Sequence, residues 1–316
     1  MVRGVREVLG VLVLVVLAYG ATTAQTTAPR ELVGTWTLSA VERIGADSKW
    51  TAQILPRGLL IFDRAGHAFE LAETGRRAPY AANQPTPAEA HAVYNNYSGL
   101  WGGYTIDAQQ KTITYRPEGA ISPNAMGHDV VRTFELTGDR LVITATPAEP
   151  DGLSGTRWIW DRVPQLEHLT PANRTVLGFW RHVVEKRINV TTGGAQSETE
   201  RAPSVIVYTP SGYVGVHFPP MGRARFAGAL PTDDEARAAI AGFVSYYGAY
   251  TLAPGIVFHH RLIILGTAPG DTLTRFYNIT GDTLTLTFPP ARNQQGEDIR
   301  TEVTLKRISG EKDMLP

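Results

Sequence analysis

Leu32-Val33-Gly34-Thr35-Trp36 returns as Val176-Leu177-Gly178-Phe179-Trp180, 144 residues further on. Leu59-Leu60-Ile61-Phe62-Asp63-Arg64-Ala65-Gly66 returns as Val205-Ile206-Val207-Tyr208-Thr209-Pro210-Ser211-Gly212, at a spacing of 146. The same 146 relates Pro85-Thr86-Pro87-Ala88-Glu89-Ala90 to Pro231-Thr232-Asp233-Asp234-Glu235-Ala236, and Trp101-Gly102-Gly103-Tyr104 to Tyr247-Gly248-Ala249-Tyr250. Residues 136–144 match 279–287 at 143, and 156–163 match 301–308 at 145. A nearly constant spacing, kept in order along the chain, is the signature of a duplicated unit. The units run over 32–163 and 176–308. The connector, 164–175, carries the breakers Pro164 and Pro171.

Each unit reads as strands with a single helix. Thr35 to Glu42 alternates apolar and polar residues, the pattern of a half-buried strand. Leu59–Phe62 and Val205–Tyr208 are short apolar runs closed by turns that end in glycine, which suits a hairpin. Gly138-Asp139 and Gly281-Asp282 mark a second hairpin in each copy. Thr86-x-x-Glu89 and Thr232-x-x-Glu235 are capping boxes, and Pro87 sits at a tolerated first-turn position. Ala90, Val93, Tyr94 and Tyr97 follow at helical spacing, as do Ala236, Ala239, Ile240 and Phe243. The expected helices end near Gly99 or Gly102 in one copy and near Gly248 in the other. An all-β chain of antiparallel strands removes its exposed edges by closing, so the expected fold is two tandem β-barrels, each with one short helix after the early strands. About eight strands per barrel leave room for packed side chains or one small ligand.

Composition narrows the function. The 316 residues carry 30 Lys and Arg against 30 Asp and Glu, which argues against a nucleic-acid partner, because phosphate neutralisation needs an excess of clustered positive charge. The absence of cysteine excludes disulfides, thiolate catalysis and thiolate-ligated zinc or iron–sulfur centres. Arg3 and Arg6, the apolar run Val8–Ala18 and the small residues up to Ala24 form the tripartite pattern of a signal peptide over 1–24. The run is short for a membrane span, so the mature chain is expected in the periplasm or outside the cell with no integral span.

The ordered motifs, present twice, resemble the bacterial lipocalin-like domain family. Gly34-x-Trp36 and Gly178-x-Trp180 stand on the first strand, and the last strands end in Arg162 and Arg307. The resemblance implies a lipocalin-like barrel in which the late arginine covers the first-strand tryptophan, a cation–π contact of about 0.5–2 kcal/mol. Trp101-Gly102-Gly103-Tyr104 and Tyr246-Tyr247-Gly248-Ala249-Tyr250 resemble the family's aromatic-glycine segment after the helix. Copy two also keeps the typical His259-His260 pair and Arg275-Phe276, whereas copy one departs from it with Tyr115-Arg116. The resemblance speaks to fold rather than activity.

Three sets of residues are candidates for chemistry. His259 and His260 are adjacent on a strand, so only one can enter a barrel; with Arg275 nearby it would suit acid–base work, and His217 joins it if it too faces inward. No third ligand accompanies these imidazoles, so no metal site is expected, and no motif indicates a cofactor. Arg132 and Arg275 correspond at a spacing of 143, each on an alternating strand, and if Phe134 faces inward, period two puts Arg132 on the same face. A buried arginine needs a partner, either an internal carboxylate or a ligand acid. The third set is aromatic: Tyr94, Tyr97, Trp101 and Tyr104 in copy one, with Phe243, Tyr246, Tyr247 and Tyr250 in copy two. These either line a pocket for a planar apolar ligand or pack helix on barrel. The expectation is a small-molecule binder for a hydrophobic or aromatic ligand, an acidic one being among the options, with Tyr97, Trp101, Tyr104, Arg132, His217, Tyr247, Tyr250 and Arg275 at its sites. The alternatives are a barrel isomerase, cyclase or lyase using His259 or His260 with Arg275, and a non-catalytic structural or assembly module.

Overall fold

The computed structural model describes residues 31–315, apart from 46, 54–55, 76–79, 82–84, 147–152, 154, 201 and 266–270. The expected signal peptide lies outside the described residues. Copy one comprises β1 (Gly34–Ile44), β2 (Trp50–Ala52), β3 (Arg57–Phe62), β4 (His67–Glu73), α1 (Pro87–Asn96), β5 (Tyr97–Asp107), β6 (Thr112–Ala120), β7 (Val130–Thr137), β8 (Arg140–Ala145) and β9 (Thr156–Val163). In the connector, α2 (Pro171–Val176) is capped by Thr170, with Asn173 reaching back. Copy two comprises β10 (Gly178–Asn189), β11 (Ala195–Thr199), β12 (Val205–Tyr208), β13 (Tyr213–Phe218), α3 (Asp233–Ile240), β14 (Val244–Ala253), β15 (Ile256–Ile264), β16 (Thr272–Thr280), β17 (Thr283–Thr287), β18 (Ala291–Arg292) and β19 (Asp298–Arg307), and α4 (Glu311–Met314) follows.

Every strand pairing is antiparallel and stays within one copy. β1 closes the first sheet on β9, with Trp36 opposite Arg162, and β10 closes the second on β19, with Trp180 opposite Arg307. Leaving aside the short flanking strands β2, β11 and β18, each is a closed eight-stranded barrel. The expected floor is present in both. The Arg162 guanidinium lies 4.0 Å from the Trp36 ring centre, and Arg307 lies 3.9 Å from Trp180. Each arginine also donates to a backbone carbonyl before the first strand, Val33 or Leu177, and each indole donates to the carbonyl four residues earlier, Leu32 or Val176.

Both capping boxes form: Glu89 and Glu235 accept from the backbone N–H groups of Thr86 and Thr232, and those threonine hydroxyls accept in return. The helices end earlier than their sequence spacing suggests. Tyr97 opens β5 rather than continuing α1, and Gly102 and Gly248 lie inside strands. These two glycines sit at matched β-bulges, where a Cβ would collide with the carbonyl of Arg116 or His260. The close approach of the neighbouring strand is the reason for glycine there, and it is a strand signal that reads like a helix stop.

The barrels are packed against each other through their outer walls. On β3 and β4, Leu60, Phe62, Ala68 and Ala72 face the first interior, while Leu59, Ile61, Phe69 and Leu71 face outward. The outward set joins Val205, Val207, Tyr247 and Ile263 of copy two in one apolar cluster. Helices α1 and α3 continue it, with Ala90 and Val93 from one and Ala236 and Ala239 from the other. The Tyr94 ring meets Phe226 edge-on at 5.3 Å, and His91 Nδ1 lies 2.5 Å from Asp233 Oδ1. Burial on both faces explains why Leu59–Phe62 and Val205–Tyr208 read as unbroken apolar runs rather than alternating ones.

Candidate functional site

A cavity of about 310 Å³ lies inside the second barrel. Its apolar wall includes Ile206, Val216, Phe218, Leu273, Leu286, Phe288 and Val303, and its polar groups are Glu185, Tyr246, His259, Arg261, Arg275 and Thr301. Alternation along the strands places them. On β15, Val257 and His259 point in, and His260 points out between the hydroxyls of Thr251 and Thr272 at 2.9 and 3.1 Å. On β14, Tyr246 and Tyr250 point in and Tyr247 points out. Val244, 43% exposed, stands at the edge of the cavity.

The His259 ring is held between two phenols. Tyr208 Oη is 2.9 Å from Nε2 and Tyr246 Oη is 2.8 Å from Nδ1. Tyr208 packs edge-on against Tyr250, whose hydroxyl donates to the Thr209 carbonyl. Burial, followed by the nearby charges of Arg275, His260 and Arg261, pulls the His259 pKa down to about 3. Burial pushes the Tyr246 phenol up to about 12 against the pull of Arg275 and Arg261. At neutral pH both groups are uncharged.

Two arginines line the cavity, and they differ in their partners; the one of interest is Arg275. Its guanidinium lies 3.7 Å from the Phe288 ring centre, and Nη1 donates to the Thr274 carbonyl at 2.8 Å. Among the described residues no carboxylate comes within ion-pair distance of it, whereas its neighbour Arg261 reaches Asp271 Oδ2 at 3.0 Å. Burial lowers the Arg275 pKa, but an arginine remains charged.

The other residues singled out in the sequence lie elsewhere. His217 is fully buried outside the barrel interior, in the seam between the barrels, against Phe69 and Phe243 and 3.3 Å from Ser245 Oγ. The condition set for it, an inward-facing ring, is not met. Tyr97, Trp101 and Tyr247 also belong to the seam: the Tyr97 hydroxyl donates to Glu73, and the Trp101 indole donates to the Pro203 carbonyl. Tyr104 is inside barrel one, with its hydroxyl spent on the Asp63 carbonyl at 2.6 Å. Arg132 is paired internally. Its Nη1 donates to both Glu70 oxygens at 3.0 and 3.1 Å, and its guanidinium lies 4.4 Å from the Trp158 ring centre. The space beside this pair measures about 30 Å³, enough for about one water. Among the described residues no three His, Asp or Glu side chains gather as a metal would require, and no helix is long and apolar enough to cross a membrane.

The sequence profile of the lipocalin-like domain matches this chain twice, over residues 33–163 and 177–308. The chain belongs to the lipocalin-like domain family. No curated protein matches it. Lipocalin-like barrels suggest ligand binding in general, and the two barrels here have diverged on one common frame. Equivalent register positions carry Glu70 and Val216 on the fourth and thirteenth strands, Leu100 and Tyr246 on the next, Tyr115 and His259 on the next, and Arg132 and Arg275 after that. On the closing strand Trp158 corresponds to Val303. Barrel two therefore keeps the arginine, loses its carboxylate and loses the indole that covers it. The exchange of Trp for Val opens volume, and the exchange of Glu for Val leaves the charge available.

The buried imidazoles of the lipocalin-like pair make stability pH-dependent. His259 and His217, both about 3 when folded, bind a proton near 6.5 when unfolded. Between those values the unfolded chain holds more protons, so stability falls as the pH is lowered from about 6.5 toward 3. Urea unfolding is expected to lose about 1.4 kcal/mol per pH unit for each imidazole across the middle of that window. His217→Gln is expected to flatten the slope, and an unchanged slope would show that the ring is solvated when folded.

Proposed function

We propose that barrel two binds a small, largely apolar molecule that carries an anionic group. The observation that carries the reading is Arg275, a cation in a mostly apolar cavity with no carboxylate partner among the described residues. A charge so placed favours a ligand acid, since a guanidinium and a carboxylate form a strong charge-assisted pair. A cavity of about 150 Å³ takes one benzene, so about 310 Å³ suits two fused rings or a chain of similar bulk. Binding is favoured over catalysis by the same neutral imidazole: a base with a pKa of about 3 removes protons poorly at neutral pH. The cavity weighs against a purely structural role. We further propose export, to the periplasm or beyond, on the strength of the N-terminal pattern at Arg3–Ala24.

The test is calorimetric titration with naphthalene-2-carboxylate and with the neutral naphthalene-2-methanol. The acid is expected to bind more tightly to the natural protein, and Arg275→Met is expected to weaken the acid about 100-fold while sparing the alcohol. Equal affinities for the two probes, or an unaffected variant, would overturn the reading.

A further inference from the structure

The hydrogen bonds around His259 have a direction that can be worked out by counting donors. A neutral imidazole has one N–H and one acceptor nitrogen, and each phenol has one O–H. Two arrangements are open. In the first, Tyr246 donates to Nδ1 and the Nε2–H donates to Tyr208; the Tyr208 hydroxyl hydrogen then has nowhere to go, because among the described residues His259 is the sole hydrogen-bond partner of that buried oxygen. In the second, Tyr208 donates to Nε2 and the Nδ1–H donates to the Tyr246 oxygen. Every deep donor is then satisfied, and the one left over is the Tyr246 O–H, on a residue that lines the cavity where Tyr208 does not. A buried donor without an acceptor is costly, whereas a donor facing a cavity can be met by water or ligand.

We propose that Tyr208 fixes His259 as the Nδ1–H tautomer and thereby makes Tyr246 a specificity-determining donor, aimed with Arg275 into the cavity. The fully buried, uncharged state of the ring agrees with one fixed tautomer. Arg275 contributes further N–H groups, since only Nη1 is engaged with a carbonyl. A cavity presenting donors from both residues selects a head group that only accepts, with two oxygens and no hydrogen of its own, as a carboxylate has. Tyr208 and His259 act as positioning residues. The head-group assignment rests on the anion-binding reading above; the tautomer does not.

The test therefore begins with the protein alone. Long-range ¹H–¹⁵N spectra of ¹⁵N-histidine protein at pH 7, with His259→Gln to assign the ring, are expected to show Nδ1 protonated and Nε2 as the acceptor. A protonated Nε2 overturns the proposal. Tyr246→Phe is then titrated with naphthalene-2-carboxylate and naphthalene-2-methanol. The acid is expected to weaken about tenfold or more, as loss of a charge-assisted bond requires, with little change for the alcohol. Tyr208→Phe, which removes no atom from the cavity wall, is expected to weaken the acid too as the tautomer becomes mixed. Unchanged acid binding in both variants overturns the donor role. Should the natural protein bind neither probe, the anion-binding reading fails, and the spectrum still decides the tautomer.

Discussion

Glu70→Gln is expected to destabilise barrel one by about 3–5 kcal/mol, the cost of removing one charged partner from a buried ion pair. Glu70 and Arg132 are both almost wholly enclosed, with side-chain exposures of 2% and 1%. The stacked faces of Trp158 and Tyr115 shield Arg132 from water, and a neutral amide cannot replace the carboxylate. Removing both charges at once, as Glu70→Val with Arg132→Leu, is expected to cost much less than the single change. Urea unfolding of the three proteins measures this, and a single-variant loss below about 1 kcal/mol would show that Arg132 is solvated. Arg275→Met in barrel two carries the opposite expectation for stability, neutral or favourable, because among the described residues that cation has no carboxylate to orphan.

Val216→Glu is expected to abolish acid binding, by about 100-fold or more, because it restores to barrel two the carboxylate that barrel one has. Val216 occupies the register position of Glu70, opposite Ile206 on one side and Tyr246 on the other, as Glu70 lies opposite Leu60 and Leu100. A glutamate there reaches the same interior and competes with the ligand for Arg275. Titration with naphthalene-2-carboxylate checks it. Binding that survives in a folded variant would mean that Arg275 does not face the position equivalent to Glu70.

Much of this was legible in the sequence because the chain is written twice. The Gly-x-Trp strands, the capping boxes at Thr86 and Thr232 and the arginine–tryptophan floors each appear as a pair, and each formed. The opposite orientations of His259 and His260 follow from strand period alone. What failed was the separation of inside from outside. His217, Trp101 and Tyr247 are as apolar in context as any pocket residue, and only the unbroken runs at Leu59–Phe62 and Val205–Tyr208 hint that these strands are covered on both sides. Tyr97 kept helical spacing but begins a strand, because the bulge glycines that follow look like helix stops. The partner of Arg132 was not identifiable, since Glu70 is 62 residues away and one carboxylate among many. Reading the repeats against each other at Glu70 and Val216 would have pointed to the site, because that exchange is a difference of charge at matched positions inside the two cups.

The seam between the barrels has a practical side. Leu59, Ile61 and Phe69 on one wall, and Val205, Val207 and Tyr247 on the other, are kept from water by each other. Cutting the gene at the connector to obtain the second barrel alone would hand the experimenter a sticky fragment with a bare greasy flank. Each barrel thus serves as the dry cover for the other's outer wall.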